Sequence, residues 1–353
     1  MNEKPTPPYK VLIVDDSAVV RKTLREIYSS DPELEVAGTA PDALIALRML
    51  GEKKIDVISL DVQMPRMDGL TFLERLMKSN PMPVVMVSSF TTQGSKEALR
   101  SIELGAVDIV EKPKLGVKEA LEDLSIQICD KIKAAAISKL KTPHQRFLTP
   151  AKKFTIDDVL PQKITASRSG AESLIAIGSS TGGTIALKNV LSPLPADMPG
   201  IVVVQHMPKA FTESFANNLN SDSKLTVFEA KEGDKVERGK VLIAPGDQHM
   251  MLKLVGNDYV VSLNSGELVN RHRPSVDVLF RSVSNLGGKN SVGVILTGMG
   301  DDGAKGIVDM HNTGSLTIAQ NEESCVVYGM PRKAVESGAV DEILNLEGIV
   351  KRL

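Results

Sequence analysis

Ser180 lies in the stretch GSSTGGT, residues 178–184, directly after the apolar run LIAI at 174–177. A glycine-rich turn between a strand and a helix suits two chemistries. It can cradle a phosphate, or it can lift a nucleophile clear of the backbone. The register Gly178-x-Ser180-x-Gly182 is that of a nucleophile elbow, and the TIALKNVL that ends it has helical periodicity. A serine is a poor nucleophile until a base takes its proton, so a histidine must be found among the five in the chain. His144 falls in a basic stretch, His311 in an amphipathic helical segment and His249 at the start of a predicted hairpin. His272 stands between Arg271 and Arg273, which disfavour an imidazolium beside them. His206 follows the run IVVVQ at 201–205, at the end of a buried strand and on the same sheet edge as Ser180. A neutral structural histidine is the alternative there. Asp301 and Asp302 follow a third apolar run on that edge, and Ser, His and Asp at three strand ends can orient and charge a base.

Chain order excludes an ordinary α/β-hydrolase, in which the acid precedes the histidine. Asp302 precedes His311, but only nine residues separate them and His311 lies downstream on the helix. The loop TGMGDDG raises a second possibility. Its Gly298-x-Gly300-x-x-Gly303 has dinucleotide-fingerprint spacing, with Glu322 and Glu323 about twenty residues on. Asp301 and Asp302 would stand where a pyrophosphate must approach backbone amides, and their charge opposes it.

The first half of the chain gathers carboxylates instead. Asp15 and Asp16 end the first apolar run, Asp61 the third, Ser88 and Ser89 the fourth, and Lys112-Pro113 follows the fifth. Three carboxylates held together repel, so they call for a hard cation such as Mg²⁺. With that repulsion relieved, one carboxylate can attack a phosphoryl donor while a hydroxyl and a lysine hold the transferred oxygens. A capping role for the Asp15-Asp16 pair is the plain alternative.

These residues need strand ends, and the apolar pattern supplies them. Runs at 10–14, 35–39, 57–60, 84–88 and 108–110 alternate with helical stretches such as 18–29 and 41–50, giving five βα units. A second series has strands at 174–177, 200–205, 225–229, 240–244, 291–296 and 315–319. Residues 250–263 alternate around Gly256-Asn257 as an antiparallel hairpin. The expected fold class is α/β with two domains: an N-terminal flavodoxin-like (βα)5 unit over 1–127 and a doubly wound, mostly parallel unit over 171–353. Between them, 128–170 reads as a basic linker. Residues 131–168 hold nine Lys or Arg, Pro143, Pro150 and Pro161 but no glycine, with a helix continuing to about 140. A solvated tether is the plain reading of such a charge run and a docking surface the other.

Composition narrows the class. A net charge of -2 and a pI near 6.3 give no pull toward nucleic acid, and no helix-turn-helix pattern follows the first domain. No run of about 18 apolar residues occurs, and MNEKPTPPYK lacks a signal-peptide pattern. Cys129 and Cys325 lie far apart, without metal-ligand spacing, and read as buried thiols in a reducing, cytoplasmic setting.

The order DD, D-x-x-M-P-x-M-D-G, S, K-P resembles the phospho-acceptor receiver domain of two-component signalling over residues 8–127. That resemblance implies phosphorylation at Asp61, with Mg²⁺ held by Asp16, Asp61 and the Gln63 carbonyl and with Asp15 completing the pocket. It makes Ser88 the switch hydroxyl and Lys112 the family's lysine, while Ile109 stands where a switching aromatic is common. LIAIGSSTGGT, VVQHMPKAFT, APGDQHM, HRPSVDVLF, ILTGMGDDGA and YGMPRKAV resemble the chemotaxis protein-glutamate methylesterase family. The resemblance implies Ser180 as nucleophile, His206 as base and Asp302 as orienting acid. The Met299 amide is then an oxyanion donor and Thr181 a supporting residue. Ser179 and Asp301 stand where the family often has Ala and Asn. The implied substrates are methyl-accepting chemotaxis receptors, demethylated at glutamate and deamidated at glutamine, with a chemotaxis histidine kinase as phosphodonor. No cofactor is implied for the esterase domain, and any membrane association would be through the receptors. A receptor-binding module without activity is the rival. Domain order suggests steric control, with the receiver covering the esterase rim until Asp61 is phosphorylated.

Overall fold

A computed structural model describes residues 5–88, 92–113, 118–138, 155–162, 174–286 and 288–353. The chain divides into two compact units, Met1–Leu148 and Thr149–Leu353. Ser89, His144, Pro143, Pro150 and most of the basic stretch lie outside the described residues.

In the first unit, β1 (Tyr9–Val14), β2 (Leu34–Ala40), β3 (Val57–Asp61), β4 (Val84–Ser88) and β5 (Asp108–Glu111) form a parallel sheet of order β2-β1-β3-β4-β5. The helices are α1 (Ala18–Ser29), α2 (Ala43–Glu52), α3 (Gly69–Ser79), α4 (Thr92–Glu103) and α5 (Lys118–Ala136). Strands β1, β3 and β4 are apolar almost throughout because helices cover both faces of a parallel sheet. Helix starts follow side-chain caps: Ser17 accepts from Val20 N, Asp42 from Ile45 N and Asp68 from Thr71 N. The cap of α1 is therefore Ser17, not the Asp15-Asp16 pair. The helix expected to reach about residue 140 ends at Ala136.

The second unit contains β6 (Leu174–Ser179), β7 (Gly200–Gln205), β8 (Thr226–Glu229), β9 (Lys240–Ile243), β10 (His249–Val255), β11 (Asp258–Asn264), β12 (Ser291–Ile295), β13 (Leu316–Gln320) and β14 (Glu342–Leu344). Its parallel sheet has the order β14-β13-β12-β6-β7-β9-β8, and β10 pairs antiparallel with β11 as the expected hairpin. Strand β14 has no counterpart among the sequence expectations. At three residues, with Ile343 exposed, it carries too little apolar pattern to signal itself. The helices are α6 (Ile156–Val159), α7 (Gly183–Leu191), α8 (Lys209–Asp222), α9 (Val276–Asn285), α10 (Ala304–Asn312), α11 (Met330–Glu336) and α12 (Leu346–Arg352). Helix α9 is buried along its whole length, with Phe280, Leu279 and Val276 in the main core.

The tether expectation is corrected at residues 155–162. Ile156 packs with Val269 and Val278, Arg281 binds Asp157, and Asn285 Nδ2 donates to the Pro161 carbonyl at 3.2 Å. Gln162 reaches Asp309 on α10 at 3.1 Å. Charge and proline content conceal this strap, because among its described residues the apolar grip on that cluster rests on Ile156 and Val159. Cys129 and Cys325 are free and buried, as expected.

Candidate active site and acidic pocket

Strand register brings Ser180 and His206 together. Ser179 pairs with Gln205 at the ends of β6 and β7, so Ser180 and His206 are the next residues out on neighbouring strands. The His206 amide donates to the Ser179 carbonyl at 3.1 Å, and the Ser180 amide to Thr297 O at 3.0 Å. Strand β12, on the other side of β6, leads into the loop that carries Asp302. The chain leaves β6 toward β7 on one side and returns as β12 on the other, a reversal that opens a crevice at the strand ends.

Small residues make the turn possible. Gly182 has φ 79° and starts α7. A Cβ at Gly183 would lie 2.1 Å from Gln205 Oε1, and one at Gly178 would lie 2.1 Å from Val276 Cγ1. Gln205 links both serines: Ser179 Oγ donates to its Oε1 at 2.7 Å, and its Nε2 donates to Ser180 O at 3.0 Å. The Ser179 hydroxyl is thus used inside the turn. Thr181 is buried, and its carbonyl accepts from Thr297 Oγ1 at 3.0 Å. Met299 follows Gly298, which is held against the nucleophile turn: the Gly298 carbonyl accepts from Gly329 N and Met330 N, and a Cβ on Gly298 would lie 2.8 Å from Ser180 Cβ.

His206 is buried and its Nε2 lies 2.8 Å from Asp302 Oδ2. Its Nδ1 is buried without a hydrogen-bond partner among the described residues. The ring therefore gives Nε2 to the acid and leaves Nδ1 to exchange a proton. Asp302 collects four further donors, all from the segment that starts α9. Ser275 Oγ at 2.7 Å, Asn270 Nδ2 at 3.0 Å and Asp277 N at 3.2 Å reach Oδ1, and Val276 N reaches Oδ2 at 2.7 Å. Burial alone would raise the Asp302 pKa. The hydrogen bond and charge of His206, with His272 and Asn270, outweigh it and hold the carboxyl well below the ordinary range. Asp277 is displaced upward, by burial first and then by the charge of Asp302.

The remaining histidines divide sharply. His272, set aside on sequence for its arginine neighbours, stacks flat on His206 with ring centroids 3.7 Å apart and planes 11° from parallel. Sequence adjacency misleads here, because flanking side chains need not share the ring's direction. His249 is buried; its Nε2 lies 2.8 Å from Glu267 O, while Nδ1 accepts from Ser275 N. Burial keeps its pKa below the ordinary value, so it acts as a neutral brace for Ser275. His311, in the last turn of α10, lies 3.3 Å from Asp341. Sequence reasoning also missed Asn270, Ser275 and Asp277; the signal was the place of Ser275 and Asp277 in the motif HRPSVDVLF that carries His272, and Asn270 lies two residues before it.

In the first unit, Asp15, Asp16 and Asp61 bring carboxylate oxygens within 4.8 Å of one another at the ends of β1 and β3. Lys112 Nζ lies 2.8 Å from both Asp15 and Asp61. Its amide donates to the Ser88 carbonyl at 2.9 Å, which joins the ends of β4 and β5. The Asp15 carboxylate is braced by Ser17 N at 2.8 Å, and Arg21 Nη1 bonds the Asp15 and Asp16 carbonyls. Asp61 has its pKa raised to about 6, by burial first and by Asp15, against the opposing contact with Lys112. An all-oxygen set carrying this much negative charge fits a hard divalent cation. The Asp-Gly pair that starts α3 has a steric reason, since a Cβ on Gly69 would lie 2.0 Å from the Asp61 carbonyl oxygen. Ile109 is buried in β5. No helix among the described residues is long and apolar enough to cross a membrane.

Residues 175–353 match the CheB methylesterase family, and residues 11–122 the response regulator receiver domain family. The chain is 49% identical over 348 residues to protein-glutamate methylesterase/protein-glutamine glutaminase 1 of Geobacter metallireducens, covering 99% of this chain and 96% of that one. Enzyme 2 of the same name from Oleidesulfovibrio alaskensis is 52% identical over 342 residues, covering 96% and 95%. Among solved structures, the Thermotoga maritima CheB methylesterase catalytic domain is 41% identical with a TM-score of 0.51, covering 52% of this chain and 97% of that one.

Proposed function

The chain belongs to the CheB methylesterase family, and from that premise we propose that it is a protein-glutamate methylesterase and protein-glutamine glutaminase controlled by phosphorylation of its receiver domain. The observation that carries the reading is the adjacency of Ser180 and His206 on paired strands, with His206 bound to a buried Asp302 at 2.8 Å.

Ser180 Oγ attacks the γ-carbonyl of a methylated glutamate on a chemoreceptor while His206 Nδ1 takes its proton. Asp302 holds the imidazole tautomer and stabilises the imidazolium. The Met299 amide donates to the oxyanion, a contact worth about 3 kcal/mol in such sites. His206 then protonates the departing methanol oxygen, or the departing ammonia when the substrate is glutamine. Water, deprotonated by the same imidazole, hydrolyses the acyl-serine to free glutamate. Thr181 supports the turn through its backbone.

Asp61 accepts the phosphoryl group from a chemotaxis histidine kinase. Asp16, Asp61 and the Gln63 carbonyl, with Asp15 completing the acidic pocket, would hold Mg²⁺, which would supply charge neutralisation for that transfer. Lys112 and Ser88 hold the incoming oxygens, and the added charge of about -1.5 to -2 shifts the activity of the esterase. The receiver is residues 1–127 with α5 running on to Ala136, and the esterase is residues 171–353 with the strap 155–162 packed on it; the protein is cytoplasmic and meets the membrane only through receptors.

The test is methanol release from methyl-labelled receptor membranes by the full chain. Ser180→Ala is expected to abolish it while leaving thermal unfolding in place. Acetyl phosphate with Mg²⁺ is expected to change the wild-type rate and not that of Asp61→Asn. Release by Ser180→Ala would remove the nucleophile assignment and leave the binding-module reading.

A further inference from the structure

Between β11 and α9 the chain makes a closed turn over residues 269–272. Val269 N donates to His272 O at 3.1 Å and His272 N to Val269 O at 2.8 Å. The two residues inside it, Asn270 and Arg271, have φ of 51° and 70°. Asparagine tolerates that left-handed region, whereas for arginine it is strained. Such strain persists only where surrounding contacts over-determine the backbone.

Those contacts lie on the base–acid pair. From one side of the turn, Asn270 Nδ2 donates to Asp302 Oδ1 at 3.0 Å and to Asp277 Oδ2 at 2.6 Å. The single amide bridges two buried carboxylates that otherwise repel, and fixes the rotation of each. From the other side, the His272 ring covers one face of His206. The foot of the turn is fixed as well, because Val269 packs with Ile156 of the strap and Val278 of α9. Building on the catalytic reading above, we propose that this turn is a two-point clamp. Asn270 sets the orientation of Asp302, and His272 sets the ring plane of His206. Neither touches the reacting atoms; both are positioning residues.

A clamp has a kinetic signature that a merely stabilising turn lacks: kcat falls while KM holds. Asn270→Gly removes the amide while glycine accepts the left-handed backbone, so the turn is expected to form. Its kcat for methanol release should drop on the order of tenfold to hundredfold, the usual cost of a misplaced catalytic group, with KM within about twofold. His272→Ala should lose about tenfold in kcat, and His272→Phe, which retains a flat ring, should recover to within about threefold of wild type. Thermal unfolding of each variant separates misfolding from mispositioning, and Asn270→Asp provides a second variant that tolerates the same backbone. Wild-type kcat in a folded Asn270→Gly or Asn270→Asp, or in His272→Ala, would overturn the clamp. So would a Phe variant as slow as the Ala one. If the wild-type chain itself releases no methanol, the esterase reading fails instead, so the two failures are distinct.

Discussion

Replacing Asp302 by asparagine keeps the shape of the orienting acid and exchanges one acceptor for a donor. The consequence follows from which oxygen becomes the NH₂. At the Oδ1 site the new donor would face Asn270 Nδ2 and Asp277 N, plus a Ser275 hydroxyl that can rotate away. At the Oδ2 site it would face only Val276 N among fixed donors, with His206 Nε2 beside it. Each buried donor left without an acceptor costs about 1–3 kcal/mol, so the NH₂ settles at the Oδ2 site, where one is stranded rather than two. His206 must then present Nε2 as an acceptor, and its proton moves to Nδ1. The nitrogen that should receive the serine proton already carries one. Loss of the correct tautomer costs about 10⁴ in kcat in serine hydrolases. The expected result for Asp302→Asn is therefore a kcat lower by about three to four orders of magnitude with KM nearly unchanged. Stability should fall by only about 1–3 kcal/mol in urea unfolding. Methanol release over a range of receptor concentrations gives both kinetic constants. A kcat within about tenfold of wild type, or a loss confined to KM, would refute the tautomer argument.

The other expected outcomes concern the frame around the two sites. Asp61 is a weaker acid in the folded protein than its ordinary value of 3.8, at about 6. Folding is therefore penalised progressively as pH rises between those values, by roughly 3 kcal/mol at the plateau. Asp61→Asn should raise the metal-free receiver's urea midpoint above pH 6 and lose that advantage near the ordinary value of 3.8. A destabilised variant at both pH values would show that the penalty is absent. Gly178→Ala places a methyl against Val276 at the N-terminus of α9. It should cost about 1–3 kcal/mol by overpacking and lower kcat through the Asp302 cradle; unchanged thermal unfolding would count against that close approach. Arg281→Ala strands the buried Asp309 carboxylate, which Arg281 Nε contacts at 2.6 Å, and should cost about 3–5 kcal/mol. Hydrogen exchange across residues 155–162 should speed up in the same variant, and unchanged exchange there would mean that the strap is held by other contacts.

How far the sequence reveals these sites depends on how each residue is positioned. Ser180, His206, Asp15 and Asp61 stand at the ends of apolar runs, and a parallel sheet converts that placement into proximity, because strand ends share an edge. The same period that makes β6 and β7 legible thus places their terminal residues side by side. Asn270, His272, Ser275 and Asp277 approach through a left-handed turn and a helix start, where no periodicity encodes direction. His272 shows the cost most plainly. Its two arginine neighbours suggest a hostile charge, yet in the fold it is the ring on His206. The strap fails for a related reason: Arg281 lies more than a hundred residues from Asp157, and only the fold pairs them.

Asp61 ends one parallel strand and Asp302 lies in the loop after another, and their surroundings make opposite acids of them. Asp302 receives five donors, including two backbone amides from the first turn of α9, where the helix dipole also favours an anion. It stays charged through the whole range in which a histidine titrates, which an orienting acid requires. Among the described residues Asp61 has one amide contact, from Gln63 N at 3.3 Å, and shares one lysine with Asp15. Burial consequently wins, and the carboxyl titrates at about 6. At neutral pH it is ionised, as the proposed attack on a phosphoryl donor requires. Supplying Asp61 with further donors would bring that pKa down and stabilise the receiver. On the proposed reading, the few hydrogen bonds to Asp61 among the described residues suit a carboxylate that is to take up a phosphoryl group, and the crowded hydrogen bonding of Asp302 suits one that is to hold His206.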